Sequence, residues 1–173
     1  MTLKLKVLAG SQSPWYADGL SFTCTTCGNC CTGGPGYVWL TKDEIVKMGQ
    51  YLNLPPEEVV ERYCRKIGGQ FSLRDTRRGD LYDCVFLKEV PVERGDGSKV
   101  VQTKRVCSVY PVRPLQCRTW PFWTENIATE NAWELAGRKC PGMGKGRSYT
   151  REQIEAIRDA AEWPKDPPTS AKD

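Results

Sequence analysis

Cys24-Thr-Thr-Cys27-Gly-Asn-Cys30-Cys31 sets four thiols within eight residues, three of them at a spacing of three, and Thr-Gly-Gly-Pro-Gly follows directly. No hydrophobic core requires such a density. Thiols on a glycine-rich loop can converge on one centre, and thiolate is a preferred ligand of zinc, copper(I) and iron–sulfur clusters. Cys84, Cys107, Cys117 and Cys140 bring the candidate ligands to eight, enough for two four-thiolate sets. Metal-cluster chemistry is the expectation.

Three kinds of sulfur site compete. Structural zinc uses two separated C-x2-C pairs that grip one small tetrahedron. Three cysteines stepping by three instead match the opening of the bacterial ferredoxin run, in which a more distant Cys-Pro serves a second cluster; Cys140-Pro141 has that form. Disulfides fit poorly with nine cysteines and with the neighbours Cys30 and Cys31. The favoured cofactor is therefore an iron–sulfur cluster of [4Fe–4S] type, one or two per chain, with Zn2+ as the alternative. Adjacent side chains tend to diverge. Cys24, Cys27 and Cys30 are expected to face one centre, and Cys31 a second with some of the later cysteines.

The chain contains no histidine, which removes Cys/His zinc fingers and every histidine-based acid–base mechanism. Cations crowd the later thiols: Lys104 and Arg105 before Cys107, Arg118 after Cys117, Arg138 and Lys139 before Cys140. Positive neighbours favour thiolate over thiol.

A chain of 173 residues suits one domain, here 1–163 with a flexible tail at 164–173. The charge of +4 is too small to argue for nucleic acid. No apolar run nears the roughly 20 residues of a spanning helix, and no adequate signal-peptide core follows Lys4 and Lys6. A cytoplasmic protein without membrane contact is expected, and in a reducing compartment dense cysteines mean metal or catalysis more often than disulfides.

The elements that must carry the thiols read as α+β: a small, loop-rich domain with a short antiparallel sheet or hairpin and about three helices organised around a Cys-ligated metal centre. Leu3 to Leu8 alternate as an edge strand, and Trp15, Tyr16 and Phe22 can wall a centre from water. Tyr37–Leu40 reads as a strand. Thr41-Lys-Asp-Glu44 is a capping box ahead of a helix whose Ile45, Met48 and Leu52 turn inward. Leu54-Pro-Pro-Glu-Glu opens a second helix, with Val60, Cys64 and Ile67 on one face until Gly68-Gly69 stops it. Cys64 is expected to be a buried small hydrophobe rather than a ligand.

Residues 70–110 read as β, with Arg77-Arg78 in a solvated turn and Asp96-Gly97 turning a hairpin between 85–92 and 99–109. Prolines 111, 114 and 121 permit only one short turn of helix near 115–120. Trp133-Glu-Leu-Ala fits helix or strand. Cys140-Pro-Gly-Met-Gly-Lys-Gly146 reads as a glycine-rich loop, and Thr150-Arg-Glu-Gln153 caps a last helix with Ile154, Ile157 and Ala161 on one side.

Phe22-x-Cys24-x-x-Cys27-Gly28-x-Cys30-Cys31, Val38-x-Leu40-Thr41-x-x-Glu44, Cys84-x-Phe86-Leu87, Cys107-Ser-Val-Tyr110-x-x-Arg113-Pro114-x-x-Cys117-Arg118-x-x-Pro121-Phe122 and Cys140-Pro-Gly together resemble the bacterial YkgJ-like CxxCxxCC family, a cysteine-cluster domain associated with zinc or iron chelation. The resemblance covers about 22–146. It implies that Cys24, Cys27, Cys30, Cys31, Cys84, Cys107, Cys117 and Cys140 are the metal ligands, with Cys64 outside the pattern. The hairpin at 88–104 looks longer than the family's usual connection. A related segment in flagellin lysine N-methylase is linked to an iron–sulfur cluster, but nothing in this chain marks a methyl-donor site.

Two functions follow as expectations. One is an iron–sulfur protein that passes electrons or assists a redox enzyme, itself an oxidoreductase or accessory to one, with a protein or redox partner. The other is a zinc-stapled interaction module without catalysis, in which metal energy replaces part of the core and Trp120-Pro-Phe-Trp123 docks a partner. No catalytic constellation is visible.

Overall fold

The Thr41 hydroxyl accepts from the Glu44 amide while the Glu44 carboxylate accepts from the Thr41 amide at 2.9 Å, so the capping box forms as read. Such a cap contributes about 1 kcal/mol and fixes where the helix begins. The computed structural model that shows this describes residues 13–92 and 102–160. The Leu3–Leu8 strand, the Asp96-Gly97 turn, Ala161 and the 164–173 tail lie outside the described residues.

In chain order the strands are β1 (Leu20–Phe22), β2 (Thr32–Gly33), β3 (Trp39–Leu40), β4 (Cys64–Ile67), β5 (Gln70–Leu73), β6 (Asp75–Arg78), β7 (Leu81–Cys84), β8 (Leu87–Val92), β9 (Gln102–Cys107) and β10 (Met143–Tyr149). The helices are α1 (Lys42–Leu52), α2 (Pro56–Tyr63), α3 (Leu115–Thr119), α4 (Thr124–Ile127), α5 (Glu130–Gly137) and α6 (Arg151–Asp159). The α+β reading holds in this coarser form. In place of one short sheet there are several small antiparallel ones, with strand orders β1-β10, β2-β7-β6, β3-β5-β4 and β8-β9, and in place of about three helices the described residues form six, three of them short helices in the proline- and tryptophan-rich stretch from Leu115 to Gly137.

Three local readings are corrected. The second helix ends at Tyr63, and Cys64–Ile67 become β4, because Gly68-Gly69 does not cap a helix. Both glycines take positive φ (55 and 85°) and turn a tight hairpin that pairs β4 with β5 from Cys64↔Leu73 to Ile67↔Gln70. Accordingly Val59, not Val60, is the fully buried valine of α2. Second, the glycine-rich stretch after Cys140 is not all loop. Met143–Tyr149 pair with β1, with a register shift between Ser21 and Phe22. Third, Arg77 and Arg78 lie on β6 rather than in a turn, exposed, with Arg78 paired to Asp83 at 2.7 Å.

Trp133 settles as helix, on α5, where the Thr129 hydroxyl caps the Ala132 amide at 3.1 Å. The hairpin reading survives on its described strands, which pair from Leu87↔Cys107 to Val92↔Gln102. No helix among the described residues is long and apolar enough to cross a membrane.

Two apolar clusters result. Leu40, Ile45, Met48, Val59, Cys64, Leu73, Phe86 and Val109 form one, between α1, α2 and the β3-β5-β4 sheet. Tyr16, Phe22, Phe122, Ile127, Trp133, Met143 and Ile154 form the other, under α4, α5 and α6. Cys84 and Cys107 pack on the edge of the first and Cys24 and Cys140 on the edge of the second.

Candidate metal centre

All eight motif cysteines line one cavity of about 250 Å3 at the seam between the two apolar clusters. They arrive on separate elements. Cys24 and Cys27 follow β1, and Cys30 and Cys31 sit on a single 3-10 turn (Asn29–Cys31). Cys84 ends β7, Cys107 ends β9, Cys117 lies on α3, and Cys140 follows α5. Cys64 is absent from the wall and is 2% exposed in the first apolar cluster, as a small hydrophobe would be.

Gly28 makes the turn possible. Its φ of +74° is a left-handed conformation. An added Cβ would stand 2.8 Å from Leu87 Cδ1 and 3.2 Å from Arg105 Cβ, at the root of the β8-β9 ribbon. Gly28→Ala is therefore expected to cost about 2 kcal/mol and to lower metal content together with the unfolding midpoint, read by elemental analysis and a thermal melt on the same sample.

The thiols interact directly. Cys30 Sγ and Cys31 Sγ are 4.0 Å apart, so the expected divergence of these neighbours does not occur. The Cys31 thiol hydrogen-bonds Cys107 and Cys30, which keeps its own proton on and raises its pKa. Those same bonds lower its partners: Cys107 falls to about 6 and Cys30 to about 7, both against their partial burial and with help from the Arg113 guanidinium. Burial pushes Cys84 up to about 11, with Cys107 and Asp75 adding like charge, and it raises Cys117 further. Like charge from Cys30 and Cys107 adds to the rise at both Cys84 and Cys117, and like charge from Cys30 and Cys84 to the rise at Cys31. Cys24 and Cys140 lie against other partners. Tyr110 hydrogen-bonds Cys24, and Trp120 Nε1 donates to Cys140 Sγ at 3.4 Å.

These directions set an order of reactivity. In metal-free protein at pH 7, alkylation is expected to label Cys107 and Cys30 first and Cys31, Cys84 and Cys117 last, since only thiolate attacks. Lowering the pH through 6 should suppress the first pair; peptide mass mapping of timed iodoacetamide quenches reads the order.

Sequence proximity misplaced the positive charge. Of the cations flanking the later cysteines, Lys139 reaches the wall, but Arg105 turns to Asn29 Oδ1 at 2.8 Å. The cation acting on the thiols is Arg113, held by its Nε bond to the Tyr110 carbonyl at 3.1 Å. Of the expected aromatic shield, Phe22 reaches the cavity, as do Trp120 and Trp123, whereas Trp15 and Tyr16 pack behind in the second cluster. Thr32, also on the wall, keeps a buried hydroxyl without a partner among the described residues.

Among the described residues no three Cys, Asp or Glu side chains are arranged as a ready-made ion site. Yet the donor chemistry fits a thiophilic centre: eight thiols, an orphaned hydroxyl, an indole N–H directed at sulfur and cations to offset thiolate charge.

Comparison with known proteins agrees with that chemistry. Residues 23–141 match the family model CxxCxxCC, described as "Putative zinc- or iron-chelating domain". The chain is 32% identical over 143 residues to an uncharacterized protein of Methanocaldococcus jannaschii, a match covering 80% of this chain and 66% of that protein, just under two thirds of its length. No solved structure matches.

Proposed function

The chain belongs to the CxxCxxCC family, and from that premise we propose that it holds iron as a [4Fe–4S]-type cluster, one or two per chain, on Cys24, Cys27, Cys30, Cys31, Cys84, Cys107, Cys117 and Cys140. Its role in this reading is electron transfer, or support of a redox enzyme through protein contact, rather than nucleic-acid or membrane binding.

One observation carries the reading: eight thiols surround a single cavity of about 250 Å3. A lone four-coordinate zinc draws its ligands to about 2.3 Å and uses four of them. The space and the surplus of thiols both favour a polynuclear centre. Eight thiolates fill two four-ligand sets and leave no open position, which suits electron transfer better than Lewis-acid catalysis. Such a cluster supplies one-electron chemistry when bound. The chain's own residues set its surroundings. Trp120 offers an N–H to sulfur, Arg113 and Lys139 offset negative charge, and Phe22, Phe86 and Val109 keep water away. Hydrogen bonds to sulfur, net charge and exposure are the factors that set cluster potential.

Anaerobic purification followed by iron, acid-labile sulfide and zinc analysis tests this. Iron and sulfide in equal amounts with broad visible absorption are expected. A colourless protein with stoichiometric zinc would instead make it a zinc-stapled module.

A further inference from the structure

Beside the cysteine cavity lies a second concavity of about 430 Å3, open to solvent, and Arg113 is the one residue that lines both. Lys47 and Arg118 add two exposed cations to its lining, together with Glu44, Gln50 and Tyr51. The Glu44 carboxylate is already engaged: Oε2 accepts from the Thr41 amide at 2.9 Å and Oε1 from the Leu115 amide at 2.6 Å. No ion pair joins Lys47, Arg113 or Arg118 to a carboxylate among the described residues. Arg113 is half-buried and preorganised, its Nε bonded to the Tyr110 carbonyl and its guanidinium 3.7 Å from the centre of the Tyr110 ring.

We propose that this basin binds a small multivalent oxyanion, a phosphate- or carboxylate-bearing metabolite, on Lys47, Arg113 and Arg118. A fixed guanidinium matches the planar fork of a carboxylate or two oxygens of a phosphate, and such charge-assisted pairs are the strong ones. The volume falls in the small-ligand range of roughly 300–1,000 Å3. Three cations against one committed carboxylate leave the basin net positive. Alone among the three cations, Arg113 also stands on the cysteine wall, so a bound anion would sit next to the thiol centre. The site does not depend on which metal that centre holds.

The test is isothermal titration of the metal-loaded protein with inorganic phosphate and, separately, with succinate. Saturable 1:1 binding of at least one is expected, and the preferred probe tells which source of oxyanion the basin suits. The double variant Lys47→Gln/Arg118→Gln spares every cavity residue, so its metal content and spectrum should match the parent while affinity falls at least about tenfold. Lys66→Gln, an exposed cation on β4, should change nothing. Absence of saturable binding by either probe, or equal binding by the double variant, overturns the proposal. Binding of a hexaglutamate peptide with neither small anion overturns it too, in favour of a docking face for an acidic protein. Metal analysis on the same samples keeps this outcome separate from the fate of the iron–sulfur reading.

Discussion

Cys117→Ser is expected to leave the purified protein with less than half its metal, and Cys64→Ser with all of it. Cys117 is held on α3 against the cavity, where burial raises its thiol pKa and charge coupling ties it to Cys30, Cys84 and Cys107. Serine supplies a hard oxygen that thiophilic centres reject. Because metal affinity is folding energy in such domains, on the order of 10 kcal/mol for a whole structural site, the loss should also lower the unfolding midpoint. Cys64 faces the first apolar cluster and not the wall. A hydroxyl there costs about 1–3 kcal/mol of stability as an unpaired buried group but removes no ligand. Extending the serine series over all eight wall cysteines counts the centres. Uniform loss means one, and two groups with separate losses mean two.

Phe122→Ala should be the most damaging change outside the cysteines, at about 3–5 kcal/mol. The ring is 2% exposed. It meets Phe22 edge-on at 6.2 Å, stacks on Trp133 at 5.8 Å and lies 4.9 Å from Tyr149. Those contacts join β1, α5 and β10, and Phe22 also walls the cavity, so the cluster that backs Cys24 and Cys140 loses its centre. For a domain of this size the midpoint should fall by roughly 10 °C or more in a thermal melt. Leu135→Ala, at a 59% exposed position on the neighbouring α5, should stay within about 0.5 kcal/mol of the parent.

How far the sequence could be read varied with the range of the interaction. The capping boxes at Thr41 and Thr150 were legible because cap and partner lie three residues apart, and both form. The inward stripe of α1 was legible for the same reason. Gly68-Gly69 misled because two glycines stop a helix or turn a hairpin equally well locally, and the choice falls to pairing with β5. The cysteine motif announced its chemistry but not its partition. Backbone turning at Gly28 brings Cys30 and Cys31 sulfurs within 4.0 Å, which side-chain alternation does not foretell. Arg113 stayed hidden as the thiolate-side cation because it is four residues from Cys117 in sequence, no nearer than other candidates. It reaches the cavity only through the 3-10 turn Tyr110–Val112 and its bond to Tyr110.

X-ray absorption at the iron and zinc edges of the anaerobically purified protein reads the ligands of the centre themselves. An iron site whose first neighbours are all sulfur, with a second shell of iron, is expected for a thiolate-held iron–sulfur cluster. Iron bound through oxygen or nitrogen, or zinc alone in the protein, would contradict it.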